Sequence, residues 1–157
     1  LQYTKPVAAH DTDAAAALAW LRDHPEGNGR AGALGVCLGG HLALRAALQP
    51  ACGAAVCFYA TDVHTGTLGE GKRDDTIARL GDMRGETMFV WGRQDPHVPL
   101  EGRVKIHAAL EAAGAMFTWH EVNAAHAFLR DEGPRHDPEL AHQFLGLAAA
   151  FLRRRLG

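Results

Sequence analysis

A chain of 157 residues, 47% hydrophobic and 22% charged, is long enough for one domain with a buried core and too apolar for a disordered segment. The formal net charge of -2 removes any electrostatic case for nucleic acid or an anionic membrane as main partner, since the one basic run, Arg153-Arg154-Arg155, ends the last predicted helix and opposes its dipole. Three cysteines, an odd number, argue against a disulfide framework and for a reducing compartment, with the cytoplasm as the expected location; no apolar run approaches membrane-spanning length, and nothing at the start reads as a signal peptide.

The chain opens at Leu1 in what reads as a loop, so a preceding segment is expected. Asp11 to Asp23 predicts a helix, with Asp11 or Thr12 as N-cap, Leu18 and Leu21 on one face, and a stop at Pro25 and Gly27. A strand over Ala33 to Val36 follows, then a helix over Leu38 to Gln49 that turns Leu42, Ala46 and Leu48 toward the core and ends at Pro50. Ala54 to Tyr59 is a near-continuous apolar run, as expected of a strand covered on both faces. From Thr61 to Gly85 the composition shifts to Gly, Asp, Glu and Arg, which predicts a loop or short cap with a weak helical pattern near Thr76 to Leu80.

Thr87 to Trp91 predicts another buried strand. Leu100 to Ala113 predicts a helix with Val104, Ile106 and Leu110 inward and Gly114 at its end, and Met116 to Val122 a strand. The last helix has Asp137 as N-cap, Pro138 at its first position and a stripe of Leu140, Phe144, Leu147 and Phe151. This alternation of helices and strands predicts one α/β domain over residues 1–157, with a mostly parallel sheet between helical layers.

The most informative stretch is Gly35-Val36-Cys37-Leu38-Gly39-Gly40, where a strand runs into a helix through a tight turn with Cys37 at its apex. In a G-x-nucleophile-x-G elbow, Gly35 and Gly39 permit the bend and the close approach of strand and helix, and Gly40 adds room. A thiol at the first turn of a helix feels the positive end of the helix dipole, which favours the thiolate.

Active sites of open α/β sheets lie beyond the carboxyl ends of the strands. The residues there are Cys37, then Asp95 in Gly92-Arg93-Gln94-Asp95-Pro96, then His126 in Ala124-Ala125-His126-Ala127. Nucleophile, acid, histidine in that order matches the hydrolase-fold triad, with His126 as acid and base and Asp95 orienting the imidazole. Leu38 would supply an oxyanion-hole amide. Each residue also has a plain structural reading: a packed thiol, an Asp-Pro turn, one loop histidine among 10.

Cys52 and Cys57 read as core packing with opposite-facing side chains, which argues against a redox pair. His41, one turn after Cys37, reads as structural or solvent-facing rather than as a metal ligand. No metal and no cofactor is expected.

With these residues in view the chain resembles the dienelactone hydrolase family, also called carboxymethylenebutenolidases, of the α/β-hydrolase fold. The likeness rests on Asn28-Gly29-Arg30 before the Gly35 to Gly40 elbow, on Phe58-Tyr59, on Gly92-Arg93-Gln94-Asp95-Pro96-His97-Val98-Pro99, and on Ala125-His126-Ala127-Phe128. Cysteine rather than serine in the elbow is its most specific element. The resemblance implies hydrolysis of a lactone or carboxylic ester through a Cys37 acyl-enzyme. It also implies that Arg130, four residues beyond His126, binds a substrate carboxylate, a role suited to a guanidinium fork, with a solvated loop arginine as the plain alternative.

Two departures stand out. Ala125 replaces the glycine usual before the histidine, which predicts a tighter or tilted loop. The family's amino-terminal strands, which bring a second oxyanion amide, a glutamate and another arginine, have no counterpart here, so only the carboxyl-terminal portion of the fold, four strands with flanking helices, is expected. Without such a donor, turnover would fall by roughly 10²-fold to 10³-fold. A catalytically weak binding or assembly module, pairing through the exposed edge of the Val36 strand, is therefore the alternative to a cysteine hydrolase acting on a small-molecule substrate. The oligomeric state is left open.

Overall fold

The computed structural model describes residues 4–157; the loop expected at Leu1 lies outside them. Four strands, β1 (Ala31–Val36), β2 (Cys52–Phe58), β3 (Glu86–Gly92) and β4 (Phe117–Val122), form one all-parallel sheet in the order β1-β2-β3-β4. The helices are α1 (Val7–Arg22), α2 (Leu38–Ala47), α3 (Leu100–Ala112) and α4 (Pro138–Leu156).

Parallel neighbours need crossovers, and these bury a core on one face of the sheet, where Leu18 of α1, Leu44 of α2, and Ile106 and Leu110 of α3 meet Ala55, Cys57, Phe89 and Trp91. Among the described residues only α4 covers the other face, packing Phe144, Ala148 and Phe151 on Val56, Phe58, Met88 and Val90. No helix among the described residues is long and apolar enough to cross a membrane.

Several expectations are corrected. Helix α1 begins at Val7, preceded by Pro6, so both expected caps lie inside it: Asp11 is bound by Arg45, and the Thr12 hydroxyl donates back to the Ala8 carbonyl at 2.9 Å. Val104 is 58% exposed, since Arg103 takes the inward place beside Ile106 and Leu110, its guanidinium donating to the Val98 carbonyl at 2.9 Å and facing Glu121 at 3.2 Å. Leu147 is likewise exposed, and Ala141 and Ala148 complete the α4 stripe. In α2 the best-buried apolar residues include Ala43, Leu44 and Ala47, while Leu42 is half-buried.

Cys52 and Cys57 share one face. The register slips where Ala31 faces Cys52 but Gly32 faces Ala54, and the extra residue, Gly53, reverses the alternation, so both free thiols lie in the same core. The Thr61 to Gly85 segment contains two short 3-10 turns, Glu70–Lys72 and Ile77–Asp82, as its weak helical pattern allows. Asp137 caps α4 as expected, accepting from the Leu140 N–H at 3.0 Å.

Candidate active site

Cys37 sits between β1 and α2 with φ 56° and ψ -123°, in the left-handed region that non-glycine residues avoid. The close packing that imposes this is local. A Cβ at Gly35 would lie 1.8 Å from the Gly39 carbonyl oxygen, and one at Gly40 would lie 2.7 Å from that of Phe58. At Gly39 a Cβ would meet nothing within 4 Å, so the close approach needs Gly35 and Gly40, and Gly39 contributes backbone only.

The three strand ends bring Cys37, Asp95 and His126 together. His126 Nε2 lies 3.2 Å from Cys37 Sγ, and its Nδ1–H donates to Asp95 Oδ2 at 2.7 Å. The carboxylate of Asp95 serves both of its readings at once, because Oδ1 accepts the His97 N–H at 2.8 Å and so also forms the Asp-Pro turn. The imidazole is wedged between the rings of Tyr59 and His97, with centroids 5.0 and 4.6 Å away. Behind it, the loop at Ala124 and Ala125 lies so close to β3 that a Cβ at Gly92 would sit 2.4 Å from the Ala124 carbonyl oxygen. The positive φ in this loop falls on Ala127, at 62°, and not on Ala125.

The site's electrostatics favour charge separation. The hydrogen bond from His126 holds the Cys37 thiol below the usual thiol range against the opposing effect of burial, and the Leu38 backbone N–H and the Thr61 hydroxyl act in the same direction. Burial works against a charged His126, yet its bonds to Asp95 and Cys37 raise it to about 9. Burial lifts the Tyr59 phenol to about 12 and the Cys52 thiol to about 11, and lifts Cys57 further, so Cys37 is set apart from the other two thiols.

Cys37 opens into a cavity of about 600 Å³ walled by Val36, Tyr59, Leu129 and Leu145, with Arg130 and Arg135 at its rim. Arg130 is among the residues that line this cavity. Arg135 was missed, because a loop arginine nine residues past the histidine carries no local signal; only the path of the 127–137 loop returns it to the cavity. His41 is fully buried and structural: Nδ1–H donates to the Thr61 carbonyl at 2.8 Å, and Nε2 meets the Thr76 hydroxyl at 2.8 Å.

A parallel sheet with an elbow after one strand, and an acid and a histidine after the third and fourth, defines an α/β-hydrolase fold. Residues 2–156 match the dienelactone hydrolase family, and the chain belongs to it. A Saccharomyces cerevisiae protein named "Putative carboxymethylenebutenolidase" is 38% identical over 97% of this chain and 58% of its own length. The carboxymethylenebutenolidase of Pseudomonas sp. (strain P51) is 32% identical over 81% of this chain and 49% of its own. The chain thus spans about half the length of these curated relatives. In fold, it is similar to the crystal structure of a "Putative Dienelactone Hydrolase" from Klebsiella pneumoniae, with a TM-score of 0.79 and 23% identity over 92% of this chain and 60% of that one.

Proposed function

We propose that this chain carries the catalytic residues of a cysteine-dependent hydrolase of lactones or carboxylic esters, related in activity to carboxymethylenebutenolidase. The observation that carries the reading is the unbroken line from Asp95 through His126 to the Cys37 sulfur at 2.7 and 3.2 Å. Cys37 gives its proton to His126 and attacks the acyl carbon; the S–C bond forms as the carbonyl π pair moves to oxygen, where the Leu38 N–H is one donor. His126 returns the proton to the leaving alkoxide, then takes one from the water that cleaves the thioester, while Asp95 holds the imidazole and balances its charge. Arg130 is suited to a substrate carboxylate at the cavity rim. A thiol nucleophile needs a reducing compartment, which supports the cytoplasm, and the apolar cavity supports a small-molecule partner.

The test is hydrolysis of an aryl acetate and of a dienelactone by the protein and by its Cys37→Ala and Asp95→Asn variants. Loss of at least about 10³-fold in each is expected; unchanged turnover in Cys37→Ala removes the thiol from the mechanism.

A second reading, an assembly module with little catalysis, is favoured by β1, which pairs only with β2 among the described residues and leaves Leu34 49% and Val36 43% exposed. Light scattering after size exclusion separates the two, because a stable monomer counts against the module.

A further inference from the structure

Resting on the reading of His126 as acid and base, we infer that Tyr59 and His97 are positioning residues, two rings from different strand ends that hold the His126 imidazole in line between Asp95 and Cys37.

Hydrogen bonds alone leave this ring a freedom. Asp95 Oδ2 at 2.7 Å and Cys37 Sγ at 3.2 Å tether its two nitrogens, but an imidazole N–H points in the plane of its ring, so the ring can still rock about the line joining the two partners. The outer side-chain torsion of a histidine is broad, and no rotamer well removes that motion. Contacts with neighbouring rings do. Tyr59, the residue after β2, has its ring centroid 5.0 Å from that of His126 at an interplanar angle of 65°, and His97, in the loop after β3, has its own at 4.6 Å and 64°. Both pairs stand near the edge-to-face geometry that aromatic rings prefer, a directional contact where aliphatic packing is not.

The fold accepts strain to place the Tyr59 ring there. The Tyr59 N–H extends the sheet by donating to the Val90 carbonyl at 2.7 Å, and the chain then turns through a φ of 36°, a left-handed value that disfavours any residue with a Cβ. Glycine would make this turn without strain, but it would bring no ring. Cys37 and Ala127 are strained in the same way, at 56° and 62°, and all three line the catalytic cavity. The turn at Ala127 stands between His126 and Phe128, and the Tyr59 ring meets both, Phe128 at 5.4 Å and 65°. Phe128 is fully buried with Val90, Phe144 and Phe151. One strained tyrosine thus joins the loop histidine to the core that α4 covers.

Neither ring is needed as a second acid or base. Burial lifts the Tyr59 phenol to about 12, so it keeps its proton through the range in which His126, raised to about 9, exchanges its own. His97 is exposed and is not among the residues that line the catalytic cavity, so its place answers to His126 rather than to a substrate. Its backbone N–H binds Asp95 Oδ1 at 2.8 Å whatever side chain the position carries, which leaves the ring free to serve the imidazole. The other titratable and charged groups facing that imidazole are Asp95 and Cys37, with Arg130 and Arg135 in the wall of the same cavity.

The experiment is the rate of Cys37 alkylation by iodoacetamide against pH, read by mass spectrometry of the Cys37 peptide, together with the downfield proton resonance of the His126 Nδ1–H shared with Asp95. Both are measured in the protein and in Tyr59→Leu, Tyr59→Met, Tyr59→Phe, His97→Ala and His97→Phe. Neither readout uses a substrate, so both stand apart from the ester assay: if Cys37→Ala left hydrolysis intact, the functional reading would fall while the hold on the imidazole was still being read. Removing either ring is expected to broaden the resonance and to move the alkylation midpoint up by about half a pH unit, about a threefold loss of rate below it, because a rocking His126 bonds the sulfur less well. Phenylalanine at either position keeps a ring and is expected to restore both signals. In the ester assay His97→Ala, which alters an exposed side chain outside the cavity, is expected to lower kcat about tenfold with KM within about twofold. Unmoved signals in Tyr59→Leu and Tyr59→Met, a shift that phenylalanine does not reverse, or failure of both variants to fold would overturn the role of Tyr59. An unmoved midpoint in His97→Ala, or one that His97→Phe does not restore, would overturn that of His97.

Discussion

His126 Nε2 stands 3.2 Å from Cys37 Sγ although 89 residues separate them in the chain, and the contact exists because β1 and β4, the two outer strands of the sheet, both release their chains at the same rim. The intervening strands set the gap, and the two loops close it. A proton can pass between these atoms with no movement of the backbone.

That proximity predicts the ionisation of Cys37. Its thiol is held low chiefly by His126, so alkylation should run at neutral pH, with a midpoint below the roughly 8.5 of a free thiol. Removing the imidazole in His126→Ala takes away the largest cause, and the midpoint should rise by about one unit or more. The imidazolium persists up to about 9, so ester hydrolysis should climb as pH rises through the thiol midpoint and decline again near pH 9. A hydrolysis profile still rising well above that pH would show that protonated His126 is not needed.

Arg130 and Arg135 predict selectivity for charge. Arg130→Ala should raise KM about tenfold for a lactone bearing a carboxylate and leave KM for a neutral aryl acetate within about twofold. Arg135→Ala should act in the same direction, because Arg135 lines the same cavity. Equal KM changes on both substrates would point to a packing role for the arginines.

The elbow glycines should part company. Gly35→Ala drives a methyl into the Gly39 backbone and should destabilise the protein by about 3 kcal/mol or prevent folding. Gly39→Ala places its methyl in open space within α2 and should be neutral or stabilise by up to about 1 kcal/mol. Thermal unfolding of the two variants compares them directly.

The buried guanidinium predicts a mutational cost and an acid limb. Asp11→Ala removes the two-bond partner of Arg45 and should lower stability by about 3 kcal/mol in urea unfolding. The Arg45 hydrogen bond holds the Asp75 carboxyl below its ordinary value of 3.8, so its contribution is present above that pH and is lost as pH falls further, toward its lower folded value. Asp75→Asn should therefore soften the fall in stability below pH 4, a change visible as a shallower acid limb.

Much of this molecule was legible one segment at a time. A glycine-flanked cysteine between an apolar strand and a helix, an Asp-Pro turn after a strand, and Asp137-Pro138 opening a helix are local chemistry, fixed by the φ and ψ values and hydrogen bonds that neighbouring residues permit. Chain order then supplied the parallel sheet, and with it the rim at which Cys37, Asp95 and His126 converge. What only the tertiary structure decided concerns partners distant in sequence. Arg103 displaced Val104 from the core because Val98 and Glu121 were there to receive it. Asp11, which lies inside α1 rather than at its cap, meets Arg45 of another helix through two hydrogen bonds. Cys52 and Cys57 came to one face because a single extra residue entered the ladder with β1. His41 and Thr61 took their places by the same rule: a polar group that cannot reach water must find its match inside the protein, and which match is near enough is a property of the fold as a whole.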